Sequence, residues 1–152
     1  MSLVSNLLQK LNPQQQEAVL HQEGPAVVLA GAGSGKTTVL ITRVAWLIAE
    51  KQVSPFAILV VTFTNKAAKE IKERIAATTN EHVAWVGTFH SLCAKILRID
   101  GESVGLGPNF VIYDSQDQVA LIKDIYKNNN IDTEEFAPKA TQAAISNAKN
   151  EL

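Results

Sequence analysis

Apolar residues along this chain follow two rhythms. Short unbroken runs occur in GPAVVLA, AILVVTF, HVAWVGT and NFVIYD. Runs of that length, rich in Val and Ile, predict buried β-strands, the first over Ala26–Ala30. Between them, apolar positions recur every three or four residues. Val39, Leu40, Val44, Leu47 and Ile48 predict a helix over Lys36–Glu50. Similar patterns predict helices over residues 65–78, 91–99 and 116–127. Near the N-terminus, LNPQQQEAVLH begins as a helix begins: Asn12 can cap, Pro13 suits the first turn, and Ala18 and Val19 offer an apolar face.

Strand and helix alternate, and the strands are apolar throughout. This predicts an α/β fold, a parallel sheet with helices packed over it and right-handed crossovers. Ligands of such sheets sit at the carboxyl ends of the strands. GAGSGKT, TFTNKAA and GTFHS each follow a predicted strand, so the fold gathers them on one edge. The tail differs. Residues 128–138 are polar, acidic and rich in turn formers. A helix is predicted from about Pro138, and the chain ends inside it without a capping glycine. A piece of a longer protein, truncated within an element, would end this way.

AGAGSGKT, Ala30–Thr37, lies between a strand and a helix, the context that makes a P-loop. Gly31, Gly33 and Gly35 let backbone N–H groups wrap an anion, together with Ala30, Ala32 and Ser34. The helix starting near Lys36 adds its positive end. Lys36 can reach the β- and γ-phosphates, and the Thr37 hydroxyl can ligate Mg²⁺. TNKAA argues against a guanine reader, which needs an acid where Ala68 stands. Asn65 is read instead as a helix cap. Asp114 ends an apolar run, as a Mg²⁺-holding acid on a strand would. DSQDQ also reads as a cap with an acidic first turn, and this reading is preferred. Phe63, Thr64 and Asn65 follow one strand; Thr88, Phe89 and His90 end the next. Aromatics there can stack on bases, and hydroxyls and imidazole can hold phosphates, although a Phe ending a strand commonly belongs to a core. Trp46 and Trp85 are read as packing residues, and Cys93 as facing inward with Leu92 and Ile96.

Composition narrows the class. With 152 residues, 46% hydrophobic and 19% charged, the chain has the makings of a folded domain. No apolar run reaches the roughly 20 residues that cross a bilayer. The first residues lack a signal-peptide pattern. A single cysteine forms no intrachain disulfide and fits a reducing, cytoplasmic setting. The net charge of −1 is unevenly spread: +1 over residues 1–60, +3 over 61–98 and −5 over 99–152. A polyanion is more welcome in the middle than at the tail.

LNPQQQEAV, AGAGSGKT, ILVVTFTNKAAKEIKERI and GTFHSLCAKILR, in this order and spacing, resemble superfamily 1 DNA helicases of the UvrD/PcrA/Rep type. The resemblance runs from about Leu11 to the end of the chain. It implies a P-loop NTPase of RecA-like fold, with residues 1–128 as part of motor domain 1A and 129–152 as the start of the inserted subdomain 1B. It implies ATP and Mg²⁺ as cofactors. Gln15 would read adenine, Ala30–Thr37 would hold the triphosphate and Thr37 the metal, with Thr38 and Arg43 in the nucleotide set. Many relatives carry Arg at the position of Thr38, so base contacts are expected to be weaker here. Phe63, Thr64 and Asn65, with Thr88, Phe89 and His90, would contact single-stranded DNA. The implied activity is that of an ATP-dependent 3′→5′ helicase acting on single-stranded or 3′-tailed DNA, and the implied partners include the other helicase domains of the same chain. The family's Asp-Glu motif and arginine fingers would lie beyond Leu152. These 152 residues alone are therefore expected neither to hydrolyse ATP nor to unwind DNA. A helicase subunit of a recombination nuclease and a non-catalytic nucleotide-binding module remain alternatives. A small-molecule phosphotransferase would need a lid with arginines and a Walker B strand, and neither is found.

Overall fold

A computed structural model describes residues 3–151. The chain packs as two compact units, one up to Leu106 and one from Gly107 onward.

The first unit begins with two helices, α1 (Leu3–Gln9) and α2 (Pro13–Leu20). The periodic reading started at Asn12 and missed α1. Asn12 caps α2 as expected: its side chain accepts from the Gln15 N–H, and the Gln15 side chain accepts from the Asn12 N–H. This reciprocal capping box satisfies two donors that a helix start leaves orphaned. Gln16 ties α1 to α2 by donating to the carbonyls of Leu8 and Leu11. A long loop then leads to α3 (Lys36–Ala49).

Next come β1 (Leu59–Thr62), α4 (Asn65–Thr79), β2 (Trp85–Thr88) and α5 (Phe89–Asp100). The strands pair in parallel, Leu59 with Trp85 through Thr62 with Thr88. As a parallel pair requires, the connection is a crossover through a helix, α4. Gly87 lets β2 run tightly into α5. A Cβ there would stand 2.7 Å from the Ser91 hydroxyl oxygen and 3.1 Å from Leu92 Cγ.

Two apolar clusters hold this unit, and α3 contributes to both. Ile41 and Val44 pack with Ile58, Val60, Ile71, Ile75 and Val83. Trp46 packs with Val4, Leu11 and Val19. Trp46 is thus core, and Trp85 is half-buried beneath Lys95, whose ammonium lies 4.1 Å from its ring centroid.

The second unit holds α6 (Ser115–Asn128) and α7 (Pro138–Asn150), which pack on each other. Tyr126 and Thr141 share a hydroxyl–hydroxyl hydrogen bond of 2.5 Å.

Several expectations are corrected. Four strands were expected, and the described sheet has two. Ala26–Ala30 and the segment around Val111 form no ladder, and their side chains are open to solvent: Val27 is 86% exposed, Leu29 92% and Val111 75%. A strand exists only through a neighbour's backbone, and neither segment has one among the described residues. β1 is buried on one face only, through Val60, while Leu59 and Val61 are exposed. Asn65 is not the cap of α4. Thr64 is, its hydroxyl accepting from the Ala67 N–H, because its extended backbone aims the hydroxyl at the first turn. Cys93 is half-buried and Leu92 buried, but Ile96 is exposed.

Asp114 is a helix cap. Its carboxylate accepts from the N–H groups of Gln116 and Asp117 at 2.7 and 2.8 Å, and Asp117 returns the bond at 3.0 Å. Asp114→Ala should cost about 1 kcal/mol of α6 stability. Hydrogen exchange reads this as faster exchange at Gln116 and Asp117, and unchanged rates there would contradict the cap.

Candidate functional site

The loop from Ala30 to Gly35 is shaped by its own small residues. Gly33 and Gly35 have φ of +73° and +81°, the left-handed region that side chains resist. The Ser34 hydroxyl donates to the Gly31 carbonyl at 2.7 Å. Gly35 leads directly into α3, so the first turn of a 14-residue helix opens beside the loop. Its unpaired N–H groups and dipole favour an anion there.

Lys36 curls back over the loop, its ammonium donating to the carbonyls of Ala30 and Gly31 at 3.1 and 2.5 Å. From the other side, the Gln15 side-chain amide donates to the Ser34 carbonyl at 3.0 Å. A Cβ on Gly35 would meet this amide at 3.0 Å. Glycine is therefore required at this position twice, for its φ and for the approach of Gln15.

These groups border a cavity of about 590 Å³. Ala18, Val28, Leu29, Val39 and Leu40 give it an apolar wall, and Lys36 and Arg43 bring two positive charges. No Asp or Glu lines it. An apolar wall beside a cationic, N–H-rich loop is complementary to a flat base joined to a polyphosphate.

Arg43 borders this cavity, yet its guanidinium is engaged elsewhere. Its Nη1 donates to the carbonyls of Ala18, Val19 and His21 at 3.2, 2.9 and 2.7 Å. Thr37 and Thr38 are exposed in the first turn of α3. Among the described residues no group of three or more His, Cys, Asp or Glu could hold a metal ion.

The second set of sequence-selected residues lies at the strand ends. Thr62 pairs with Thr88, so Phe63 and Phe89 follow equivalent positions of adjacent strands. Phe63 is 102% exposed and Phe89 68%. His90 meets Phe89 edge-on, with ring centroids 6.5 Å apart. Thr64 and Thr88 spend their hydroxyls on capping α4 and α5. Asn65 and His90 are exposed in the first turns that follow. Part of the positive charge of this region is paired along α4, Lys69 with Glu73 and Arg74 with Glu70.

A capped helix, a glycine loop and a helix N-terminus thus border a basic, apolar-walled cavity in a helix-rich α/β protein with a small parallel sheet. The family follows from comparison. Residues 11–152 match the UvrD/REP helicase N-terminal domain, and the chain belongs to this family. It is 51% identical over 148 residues to the ATP-dependent DNA helicase PcrA of Staphylococcus aureus, and equally to that of Staphylococcus epidermidis. The match covers 96% of this chain and 20% of the length of those relatives.

Gly35→Ala should strain the loop by about 1–2 kcal/mol and push the Gln15 amide off Ser34. The side-chain amide resonances of Gln15 in a nitrogen-15 NMR spectrum should shift. Unmoved resonances would show that Gln15 is held independently of the loop.

Proposed function

We propose that this chain supplies the nucleotide-binding wall and part of the DNA track of an ATP-dependent 3′→5′ DNA helicase or single-strand translocase serving DNA repair or replication. The observation that carries the proposal is the joining of Gln15 to the glycine loop beside a basic cavity, in a chain of the UvrD/REP family. ATP would lie with its phosphates on residues 30–37 and its base toward Gln15 and the apolar wall. Lys36 would neutralise the phosphates, and Thr37 would bind the Mg²⁺ they carry. In this reading Thr38 flanks the base without the charge of an arginine. By the resemblance, residues 1–128 would belong to motor domain 1A and 129–152 to the start of 1B; the compact units divide earlier, after Leu106, and α6 packs with α7 in the second.

The track side rests on two exposed aromatics at adjacent strand ends. Phe63 and Phe89 would stack on successive bases of single-stranded or 3′-tailed DNA, with Thr64, Asn65, Thr88 and His90 against the backbone. Other helicase domains of the same protein would supply the acid that activates water and the arginines that stabilise transferred charge. No helix among the described residues is long and apolar enough to cross a membrane, and the cytoplasm is the compartment proposed.

Two measurements test this reading. Lys36→Ala should abolish ATP binding by the 152-residue chain, which itself should show no DNA-stimulated hydrolysis. Turnover that Lys36→Ala removes would mean that the catalytic groups are already present. Phe63→Ala should weaken binding of a single-stranded oligonucleotide by about 1–3 kcal/mol. Unchanged affinity at constant salt would remove Phe63 from the track.

A further inference from the structure

α2 ends abruptly. Its last residue is Leu20, and His21 already leaves the helical path while its N–H bonds back to Glu17. The glycine that could wrap the carbonyls of the last turn, Gly24, comes too late, and Pro25 after it has no N–H to give. A helix C-terminus with exposed carbonyls carries a partial negative charge. Arg43, from the middle of α3, answers it. One guanidinium nitrogen donates to the carbonyls of Ala18, Val19 and His21. The residues it joins are 22 to 25 positions apart in sequence, so the cap is tertiary.

We propose that Arg43 is a positioning residue: by clamping the C-terminal end of α2 it fixes the helix that carries Gln15, and so forms the base end of the cavity without touching the nucleotide. The inference rests on the nucleotide reading above and deepens it. Lys36 and Arg43 are seven residues apart, two turns along one side of α3, about 10 Å of helix rise. Lys36 stands at the glycine loop, and Arg43, two turns further along α3, lines the same cavity. α2 spans between them. Its first turn reaches the loop through Gln15, its last turn is held by Arg43, and Val19 in that last turn is fully buried. Without the clamp, α2 keeps its anchor in the core but loses the bonds that set its tilt over the cavity. A flat base held between α2 and α3 depends on that tilt. Phosphates held by the loop do not.

The test compares the wild-type chain with Arg43→Gln, Arg43→Lys and Lys36→Ala. ATP, GTP and inorganic tripolyphosphate serve as probes, and hydrogen exchange reads α2. Arg43→Gln should weaken ATP about tenfold, the loss of charge-assisted bonds. It should erase any preference for ATP over GTP, leave tripolyphosphate within twofold of wild type and speed exchange in α2. Arg43→Lys, which keeps the charge on a shorter and more strongly hydrated head, should fall between; if Arg43→Gln does not fold, the same readouts are taken from it. Lys36→Ala should weaken ATP and tripolyphosphate alike and leave α2 protected. Equal weakening of ATP and tripolyphosphate by Arg43→Gln would make Arg43 a phosphate ligand and overturn the proposal. So would weakened ATP with α2 still protected, which means direct contact with the base, or unchanged ATP affinity. If the wild-type chain binds neither ATP nor tripolyphosphate, the nucleotide reading fails, and exchange in α2 of Arg43→Gln alone decides whether the clamp exists.

Discussion

The structure of the first unit depends on the burial of α3 from two sides. Ile41 and Val44 face the core made with β1 and α4, and Trp46 faces the core made with α1 and α2. A helix gripped on both sides is not free to rotate, since each core rejects polar residues turned into it. Its N-terminus is therefore held at one place and angle, and the glycine loop that ends there inherits that position. The cavity between α2 and α3 is a consequence of the same arrangement, which turns the side of the helix shared by Lys36 and Arg43 toward it.

The same packing links the two candidate surfaces. Ile41 and Val44, one to two turns beyond Lys36, share a cluster with Val60, three residues before Phe63. Ile71 and Ile75 of α4 complete that cluster, and α4 begins at the turn that presents Phe63 and Thr64. The start of α3 and the turn that presents the exposed aromatics are thus joined through one core.

Much of the candidate site was legible because its determinants are local. The glycines at 33 and 35 announce positive φ, and the loop has it. Asn12 reads as a cap, to which the structure adds the reciprocal bond with Gln15, and Asp114 reads as a cap with an acidic first turn, which kept it from being taken as a metal-binding acid. Phe63 and Phe89 were placed at strand ends from the apolar runs before them, and the parallel register puts them directly after paired positions of adjacent strands. The family was legible from the order of four motifs, and the comparison with known proteins agrees.

What the sequence could not decide is what depends on distant partners. AVVLA and FVIY have the composition of strands, but composition creates no neighbouring strand, and neither joins a sheet ladder among the described residues. Thr64 rather than Asn65 caps α4 because the backbone at Thr64 is extended, a property of how β1 ends. Arg43, grouped from the resemblance with the nucleotide residues, has its guanidinium on the carbonyls of another helix. The longer helices, the caps at Asn12 and Asp114 and the glycine loop are specified within a few residues of themselves, so the sequence alone determined them. Strand pairing and the aim of a long charged side chain are settled between segments tens of residues apart, and only the tertiary structure decided those.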